Sequence, residues 1–411
     1  MATIKPFKGI RPNNEKASRI AALPYDVYSR AEARVEVSKE PLSFLRIDRA
    51  ETQFPEGINI YDDKVYQKAR DILWEMVENG DFVIEDMECY YIYELTMNGR
   101  VQDGIVACAS IDDYLNNIIK KYENTREEKE LDRIRHVDVC GAQTGPIYLA
   151  YRARTKIREI IAAKKKEKAL YDFTSEDGIR HRVFRIDSSE QIKVLQEEFA
   201  NTNEIYIADG HHRAASAVKV GLKRRTEDPN FSGCEEYNYF LSVLFADEQL
   251  MIMDYNRVVK DLNGYTSEEF ISKVGEVFEV TPDVSEDHYP KEKGEFSMFL
   301  KNQWYRCKVR ETEKSTDPVE KLDVSILQKK LLTPILGIED PRIDTRIDFV
   351  GGIRGLAELE KRVREDCQVA FAMYPTSIQE LFDVADAGML MPPKSTWFEP
   401  KLRSGLFIHK I

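Results

Sequence analysis

The chain has 411 residues, of which 42% are hydrophobic and 32% charged, and its formal net charge is -12. This composition is typical of folded globular proteins, and the acidic balance argues against a DNA- or RNA-coating surface, because such binding depends on a basic face. No segment has the roughly 20 apolar residues of a membrane helix, the N-terminus has no signal-peptide core, and the six cysteines form no CxxC pair. We therefore expect a cytoplasmic protein that binds neither nucleic acid nor membrane.

Hydrophobic periodicity and turn signals predict short helices and strands that alternate along the chain. In the first part they are a helix over 61–78, a hairpin over 89–111, a charged helix over 112–135, a strand over 145–151 with a helix to 163, a hairpin over 171–186, a helix over 188–200, a strand over 204–208 and a helix over 209–220. In the last part they are strands over 237–259, a helix from 266, strands near 278 and over 296–309, helices over 323–332, 356–364 and 377–385, and a strand over 369–374. The first 60 residues and the tail from 388 are expected to be turn-rich. This alternation with many hairpins favours a mixed α+β fold over a parallel α/β sheet.

The strongest chemical signal lies where an apolar strand ends in Asp209 and Gly210 and a helix of small residues follows. Glycine lets the backbone turn tightly beside a ligand. The first N–H groups of a helix lack internal partners, and with the helix dipole they form an anion site. His211, His212 and Arg213 add three donors that can carry positive charge at the helix end where the dipole disfavours cations. The pattern predicts a phosphate-binding turn whose Asp209 could hold Mg²⁺ or accept a proton.

Purely structural roles are the alternative for this turn. An Asp before a helix is often only an N-cap, and a single His at a helix start is often a satisfied core residue. A zinc site on His211 and His212 is disfavoured, because adjacent helical residues diverge by about 100°, unlike the i, i+4 pair of zinc proteases.

The run from Asp209 to Arg213 resembles the phosphate-binding motif of ParB/sulfiredoxin-like domains. Over nearly the full length, the sequence resembles the bacterial family called domain of unknown function 1015 (DUF1015). The matching stretches begin at Lys5-Pro6-Phe7 and extend to Ser404-Gly405-Leu406, and between these they are Pro24–Val27, Ser43–Arg46, Glu123–Arg133, Thr144–Pro146, Ala208–Arg213 and Met391–Thr396. Sulfiredoxin chemistry needs a cysteine in the motif turn, and this chain has none there.

The resemblance implies an α+β protein with a ParB-like phosphate-binding module over 126–262. Additional α+β segments are expected over 1–125 and 263–411, with a tail that returns to the site. Because relatives include free L-serine kinases, the resemblance implies nucleotide-dependent phosphorylation of a small hydroxyl substrate. Free L-serine, converted to O-phospho-L-serine, is the leading substrate, with ATP or ADP as donor and Mg²⁺ as cofactor. The alternatives are a nucleotide- or metabolite-binding sensor with little catalysis and a metal-dependent phosphohydrolase, and a homo-oligomer is compatible with each.

The expected site residues fall into groups by role. The catalytic group contains Asp209, also the metal ligand, His212, and two candidates for the carboxylate base, Asp26 and Glu190. The nucleotide phosphates are assigned to Gly210, His211, His212 and Arg213 and to the tail residues Lys394, Ser395 and Thr396, because loops of such residues suit phosphate contacts. The substrate is assigned to Arg11, Lys401 and Ser404.

Overall fold

The computed structural model describes residues 1–123, 127–310 and 315–411. Its contacts group the chain into two compact units: unit 1 contains Met1–Leu250 and Pro400–Ile411, and unit 2 contains Met251–Glu399. The predicted segment border at 125, and the Asn124-Thr125 part of the family-like stretch, lie outside the described residues. The division into three segments therefore stays a prediction.

The chain alternates between short strands and helices. Its strands are β1 (Ile4–Lys5), β2 (Ile10–Pro12), β3 (Phe82–Ile84), β4 (Tyr90–Met97), β5 (Arg100–Ser110), β6 (Ile119–Lys120), β7 (Ala142–Gln143), β8 (Ile147–Tyr151), β9 (Tyr171–Thr174), β10 (Arg180–Ile186), β11 (Ile205–Asp209), β12 (Tyr239–Ala246), β13 (Met251–Met253), β14 (Tyr255–Val259), β15 (Phe278–Pro282), β16 (Glu295–Leu300), β17 (Gln303–Val309), β18 (Ile347–Gly351), β19 (Val369–Met373), β20 (Trp397–Glu399) and β21 (His409–Lys410). Its α-helices are α1 (Ala17–Ile20), α2 (Arg30–Lys39), α3 (Leu45–Asp48), α4 (Asp63–Glu78), α5 (Ile111–Leu115), α6 (Glu127–Cys140), α7 (Thr155–Lys164), α8 (Ser189–Ala200), α9 (His211–Glu227), α10 (Ser267–Val277), α11 (Asp323–Leu327), α12 (Gly355–Glu365) and α13 (Ile378–Asp386). In the described ranges, no helix is long and apolar enough to cross a membrane.

Unit 1 is built on a mixed nine-stranded sheet with the order β6-β11-β8-β12-β5-β4-β10-β9, to which β1 adds beside β5. β12 runs parallel to β8 and antiparallel to β5. One buried apolar cluster joins this sheet to α7, α8 and α9, and includes Leu149, Leu195 and Val218. A second cluster joins α3 and α4 to Ile408 of the C-terminal segment. Burial of this segment explains why the tail packs into unit 1 instead of extending into solvent.

Unit 2 is built on an antiparallel six-stranded sheet with the order β15-β17-β16-β19-β14-β18. Its core packs Val258, Phe299 and Ala370 of the sheet against Leu359 of α12. The two units together confirm the predicted mixed α+β fold.

Three predicted elements differ from the structure. The single charged helix over 112–135 is wrong, since α5 ends at Leu115, β6 follows, and α6 extends to Cys140. The turn-rich start contains α2, whose Ser29 and Glu32 form a reciprocal capping box; its lack of an apolar stripe hid it, because Ala33 is its one buried residue. The helix predicted over 209–220 begins at 211 and continues to 227.

Candidate functional site

The turn between β11 and α9 is shaped by a register shift and a left-handed glycine. The pairing of β11 with β8 shifts between Ile207 and Asp209, which is the signature of a β-bulge. Gly210 has φ 94° and ψ 31°, a left-handed conformation that glycine adopts at little cost. The backbone of α9 starts with the bond from the Ala214 N–H to the Gly210 carbonyl, at 2.9 Å. The N–H groups before Ala214 therefore point out of the helix towards the turn. We call Asp209–Arg213 the Asp209 turn.

The Arg213 side chain folds back over two glycines. A Cβ atom on Gly210 would lie 3.0 Å from the Arg213 Nε, and one on Gly145 would lie 3.4 Å from its NH1. The same NH1 donates a hydrogen bond of 2.6 Å to the Pro146 carbonyl. Because glycine occupies both positions, the guanidinium can lie flat against the start of α9. The structure thus holds a fixed cation at the helix end where the dipole disfavours one.

Asp209 lies between two cations without a hydrogen-bonded pairing to either. Its Oδ2 is 3.5 Å from Lys401 Nζ and 3.7 Å from Arg213 NH2. Its recessed position favours the neutral acid, but Lys401 and Arg213 outweigh this effect and lower the pKa of Asp209 to about 2. The carboxylate is therefore charged at neutral pH. Lys401 was predicted from the sequence as a substrate ligand, and the structure brings it to this turn.

His211 is the buried member of the turn. Its ring meets the Tyr122 ring edge-to-face at 4.7 Å, and its Nδ1 lies 3.7 Å from a Glu123 carboxylate oxygen. Its Nε2 is buried and has no hydrogen-bond partner among the described residues. Burial lowers the pKa of His211 to about 4, a shift that Asp209 opposes. The ring is therefore neutral at pH 7 and offers a hydrogen bond, not the positive charge expected from the sequence.

Five of the family-like stretches, far apart in sequence, contribute residues to one small cavity of about 30 Å³ beside the Asp209 turn, through Tyr25, Arg133, Gly145, Arg213 and Ser404. We call it the Arg213 cavity, and its walls include Tyr25, Asp48, Arg133, Gly145, Arg213 and Ser404. The buried Arg133 guanidinium lies 4.1 Å from the centroid of the Tyr25 ring and donates to Asp132 at 2.8 and 2.9 Å. Sequence reasoning had not assigned Arg133 or Asp48 to the site, although Arg133 lies in a family-like stretch.

Ser404 lies at the same cavity in a fixed position. Its backbone N–H donates to the Ala22 carbonyl at 2.8 Å, and its Oγ would be 3.6 Å from a Cβ on Gly145. Lys401 and Ser404 of the C-terminal segment thus both lie in unit 1 near this turn, and the role of the tail in a site stays a prediction.

Three other predicted residues are placed differently. Arg11 of β2 donates hydrogen bonds to Glu85 at 2.5 Å and to the Tyr171 hydroxyl at 3.2 Å. Its guanidinium therefore links β2 to the residue that follows β3 and to β9. Glu190 is exposed in the first turn of α8, where a negative charge favours the helix dipole. Asp26 is exposed in a 3₁₀ turn and lines a larger cavity described below.

Lys394, Ser395 and Thr396 belong to unit 2. There the Ser395 hydroxyl donates to the Pro392 carbonyl at 2.6 Å, and the Lys394 carbonyl accepts from Arg257 at 3.0 Å. These bonds define a tight turn, in which Lys394 has φ 59°. Their assignment to nucleotide phosphates stays a prediction.

The Asp209 carboxylate is a ligand of the kind that a magnesium ion takes. Mg²⁺ commonly takes one or two carboxylates together with phosphate oxygens and waters, so Asp209 can serve as its protein ligand. Across residues 1–123, 127–310 and 315–411, no group of three His, Cys, Asp or Glu side chains could hold a metal ion alone. Among the side chains that the structure describes, His211 and His212 have no third ligand of the kind that a zinc site uses.

The fold and the site define an α+β protein with a strand–glycine–helix turn that carries Asp209, Arg213 and Lys401 side by side. A family model described as protein of unknown function (DUF1015) matches residues 4–325. This range is more than three-quarters of the chain, and the chain belongs to this family.

None of the curated proteins matches the sequence. Three solved structures show a distant likeness. A free serine kinase variant in complex with ADP has 13% identity and a TM-score of 0.37, covering 75% of this chain and 93% of that one. SbnI from Staphylococcus aureus, with a C-terminal truncation, has 11% identity and a TM-score of 0.38, covering 74% and 86%. A conserved hypothetical protein from Pyrococcus furiosus has 16% identity and a TM-score of 0.34, covering 75% and 95%.

Proposed function

We propose that this protein is a nucleotide-dependent kinase that phosphorylates a small hydroxyl substrate, with free L-serine as the leading acceptor and ATP or ADP as donor. One observation carries the proposal: Arg213 and Lys401 flank a single carboxylate at the N-terminus of α9. The Arg213 guanidinium and the outward N–H groups of the helix start are donors of the kind that suits a phosphate chain. A ParB-like module around this turn is part of the same proposal.

Phosphoryl transfer depends mainly on positioning and on charge stabilisation, because little covalent chemistry is left to the protein. The N–H groups at the start of α9 and the Arg213 guanidinium would bind the oxygens of the transferred phosphate. The bond from Arg213 to the Pro146 carbonyl fixes the guanidinium before the nucleotide arrives, which lowers the cost of ordering it. Lys401 would bind a second phosphate. A Mg²⁺ ion bound with the nucleotide neutralises further charge, and Asp209 would hold it.

The acceptor hydroxyl needs a base at the far side of the transferred phosphate. Of the two predicted carboxylates, Asp26 borders a cavity that shares four residues with the Arg213 cavity, whereas Glu190 is exposed on α8. We therefore assign the base to Asp26. The neutral His211, whose Nε2 has no hydrogen-bond partner among the described residues, would position the phosphate chain by a hydrogen bond and not by charge.

The test is phosphorus NMR of the protein with Mg²⁺, L-serine and either ATP or ADP. We expect an O-phosphoserine resonance with one of the donors. Arg213→Ala should lower the turnover about 10²- to 10³-fold, as expected for the loss of a donor to developing charge. The control is Arg180→Ala, an exposed arginine on β10 that pairs with Asp172, which should leave turnover unchanged.

Other outcomes of this experiment would contradict the proposal. Full turnover in Asp209→Asn and His212→Ala proteins would remove the Asp209 turn from the chemistry. Nucleotide binding by calorimetry without product from either donor would instead favour a nucleotide-sensing protein.

A further inference from the structure

A cavity of about 270 Å³ adjoins the Arg213 cavity in unit 1. We call it the Asp48 cavity, and its walls include Tyr25, Asp26, Asp48, Tyr66, Arg133 and His136. Its volume is near the lower end of the roughly 300–1,000 Å³ typical of ligand pockets, so it suits a small molecule. Tyr25, Asp48, Arg133 and His136 also line the Arg213 cavity. A ligand in the Asp48 cavity would therefore lie beside the wall that faces Arg213.

Asp48 is a buried carboxylate with unusually few partners. It is 5% exposed, and its Oδ1 accepts a hydrogen bond of 2.9 Å from the Thr144 hydroxyl. Within the described part of the chain, it forms no ion pair, and its Oδ2 accepts no hydrogen bond. A buried carboxylate normally requires a cation or several donors, because its desolvation is costly. Asp48 therefore has room for a cationic donor from a ligand.

The nearby guanidinium groups form hydrogen bonds with other carboxylates, and Arg133 acts on Asp48 only through the longer-range attraction of their charges. Arg49 donates to Glu51 at 2.6 Å, and Arg133 donates to Asp132. The wall of the cavity thus carries more negative than positive charge. It has the four carboxylates of Asp26, Asp48, Glu51 and Asp132 but only the two guanidinium groups of Arg49 and Arg133.

His136 does not restore the balance of charge. Its Nε2 lies 3.2 Å from the Ile47 carbonyl and must carry the hydrogen for this bond, so its Nδ1 is an acceptor. Burial and the neighbouring Arg133 lower the pKa of His136, which keeps the ring neutral. The cavity therefore combines an excess of negative charge with a second buried acceptor.

We propose that the Asp48 cavity binds the ammonium group of a small amine-bearing molecule, with Asp48 as its counter-ion. A metal ion fits less well, because no cluster of three potential ligands occurs in the ranges that the structure describes. Resting on the proposed kinase function, this identifies the acceptor as an amino alcohol or hydroxy amino acid.

Calorimetric titration of the full chain with three probes tests the proposal. L-serine and ethanolamine both carry an amine and a hydroxyl, whereas glycerate keeps the hydroxyl and carboxylate of serine but has no amine. We expect both amines to bind and glycerate to bind at least about 10-fold more weakly than L-serine, since a charged hydrogen bond is lost. This comparison uses the unchanged protein and so does not depend on the folding of any variant. Equal binding of glycerate and L-serine, or no binding of either amine, would overturn the proposal.

Variants then locate the site. Asp48→Asn should weaken L-serine binding at least about 10-fold, and Asp113→Asn, a buried aspartate on α5 away from both cavities, should not. If Asp48→Asn fails to fold, Asp26→Asn at the exposed rim should still weaken the amines measurably, and unchanged binding would refute the assignment of the cavity.

Failure of this inference can be told apart from failure of the kinase proposal. Amine binding without any phosphorylated product would refute the kinase but keep the amine site. Phosphorylation of glycerate as fast as L-serine would keep the kinase but refute the amine site.

Discussion

Two charged clusters of unit 1 differ in how completely their charges are paired. The first, which we call the Glu94 network, joins Glu94, Asp103, Lys165 and Arg182. Arg182 donates two hydrogen bonds to Glu94, at 2.6 and 2.7 Å. Lys165 lies 2.7 Å from Glu94 and 2.8 Å from Asp103. Every carboxylate there meets a cation at hydrogen-bond distance, so the network is closed and fixes three neighbouring strands and the end of α7.

The Asp209 turn has similar chemistry but longer distances. Its two cations stay 3.5 and 3.7 Å from the carboxylate, and the buried His211 Nε2 is unpaired among the described residues. A closed network contributes to stability, whereas longer separations and an unpaired buried ring nitrogen are features expected where a ligand binds. The two clusters therefore differ in how tightly their charges are paired, and the more loosely paired one is the proposed site.

The largest expected change in stability comes from removing the lysine that joins the two carboxylates of the Glu94 network. Glu94 and Asp103 face each other across β4 and β5, and Lys165 separates their charges. Lys165→Met keeps the side-chain volume but leaves two buried carboxylates side by side, and should lower the free energy of unfolding by about 3–5 kcal/mol. Urea unfolding measures this, and adding Asp103→Asn should recover part of the loss.

The neighbouring Lys166 provides the matched control, because it is exposed. Lys166→Met should change the free energy of unfolding by less than about 0.5 kcal/mol. Equal losses for Lys165→Met and Lys166→Met would show that the Glu94 network does not stabilise the fold.

The pH dependence of stability should report the buried histidine of the Asp209 turn, with an effect of intermediate size. The pKa of His211 is about 4 in the folded protein, against about 6.5 when unfolded. Between these values the unfolded chain binds more protons, so stability falls as the pH drops from 6.5 to 4 and does not depend on this group above 6.5. The share of His211 in this loss is roughly 2–3 kcal/mol.

Urea unfolding of the wild type and His211→Gln at pH 7, 6, 5 and 4 measures this share. Other buried histidines titrate in both proteins, so the difference between the two slopes reports His211 alone. Parallel pH profiles would mean that His211 is not buried as a neutral ring.

The smallest expected effect comes from two glycine variants, which together distinguish the cost of backbone strain from the need for Arg213 to lie close to the turn. Gly210→Ala and Gly99→Ala both place a side chain at positive φ, which costs roughly 1 kcal/mol. A Cβ on Gly99 has no atom within 4 Å, whereas one on Gly210 meets the Arg213 guanidinium. Both variants should lose similar stability, but only Gly210→Ala should weaken nucleotide binding, by about 10-fold in calorimetry. Equal affinities in the two variants would show that the close approach of Arg213 is not needed.

Sequence patterns predicted what depends on neighbours in the chain. Periodicity and turn signals predicted the β4–β5 hairpin and α4, and the residues of the Asp209 turn predicted its strand–Asp-Gly–helix order. Hydrogen bonds between side chains far apart in sequence could not be predicted in this way. Arg11 looked available to a ligand, but Glu85, 74 residues away in sequence, holds it.

The charged stretch before Cys140 looked like a solvated helix face, yet it places Arg133 and His136 in the interior. Their burial depends on α4 and on the turn at Tyr25, which no local pattern reveals. The Asp48 cavity could not be predicted for the same reason.

The order of the chain has a consequence for synthesis. Unit 2 is inserted between the body of unit 1 and the segment Pro400–Ile411 that supplies Lys401 and Ser404. At about 5–20 residues per second, a ribosome needs roughly 8–30 s to pass residues 251–399 after unit 1 has emerged as far as Leu250. During that interval Asp209 and Arg213 exist without Lys401, so the growing chain carries the proposed nucleotide site in an unfinished form until unit 2 has been made.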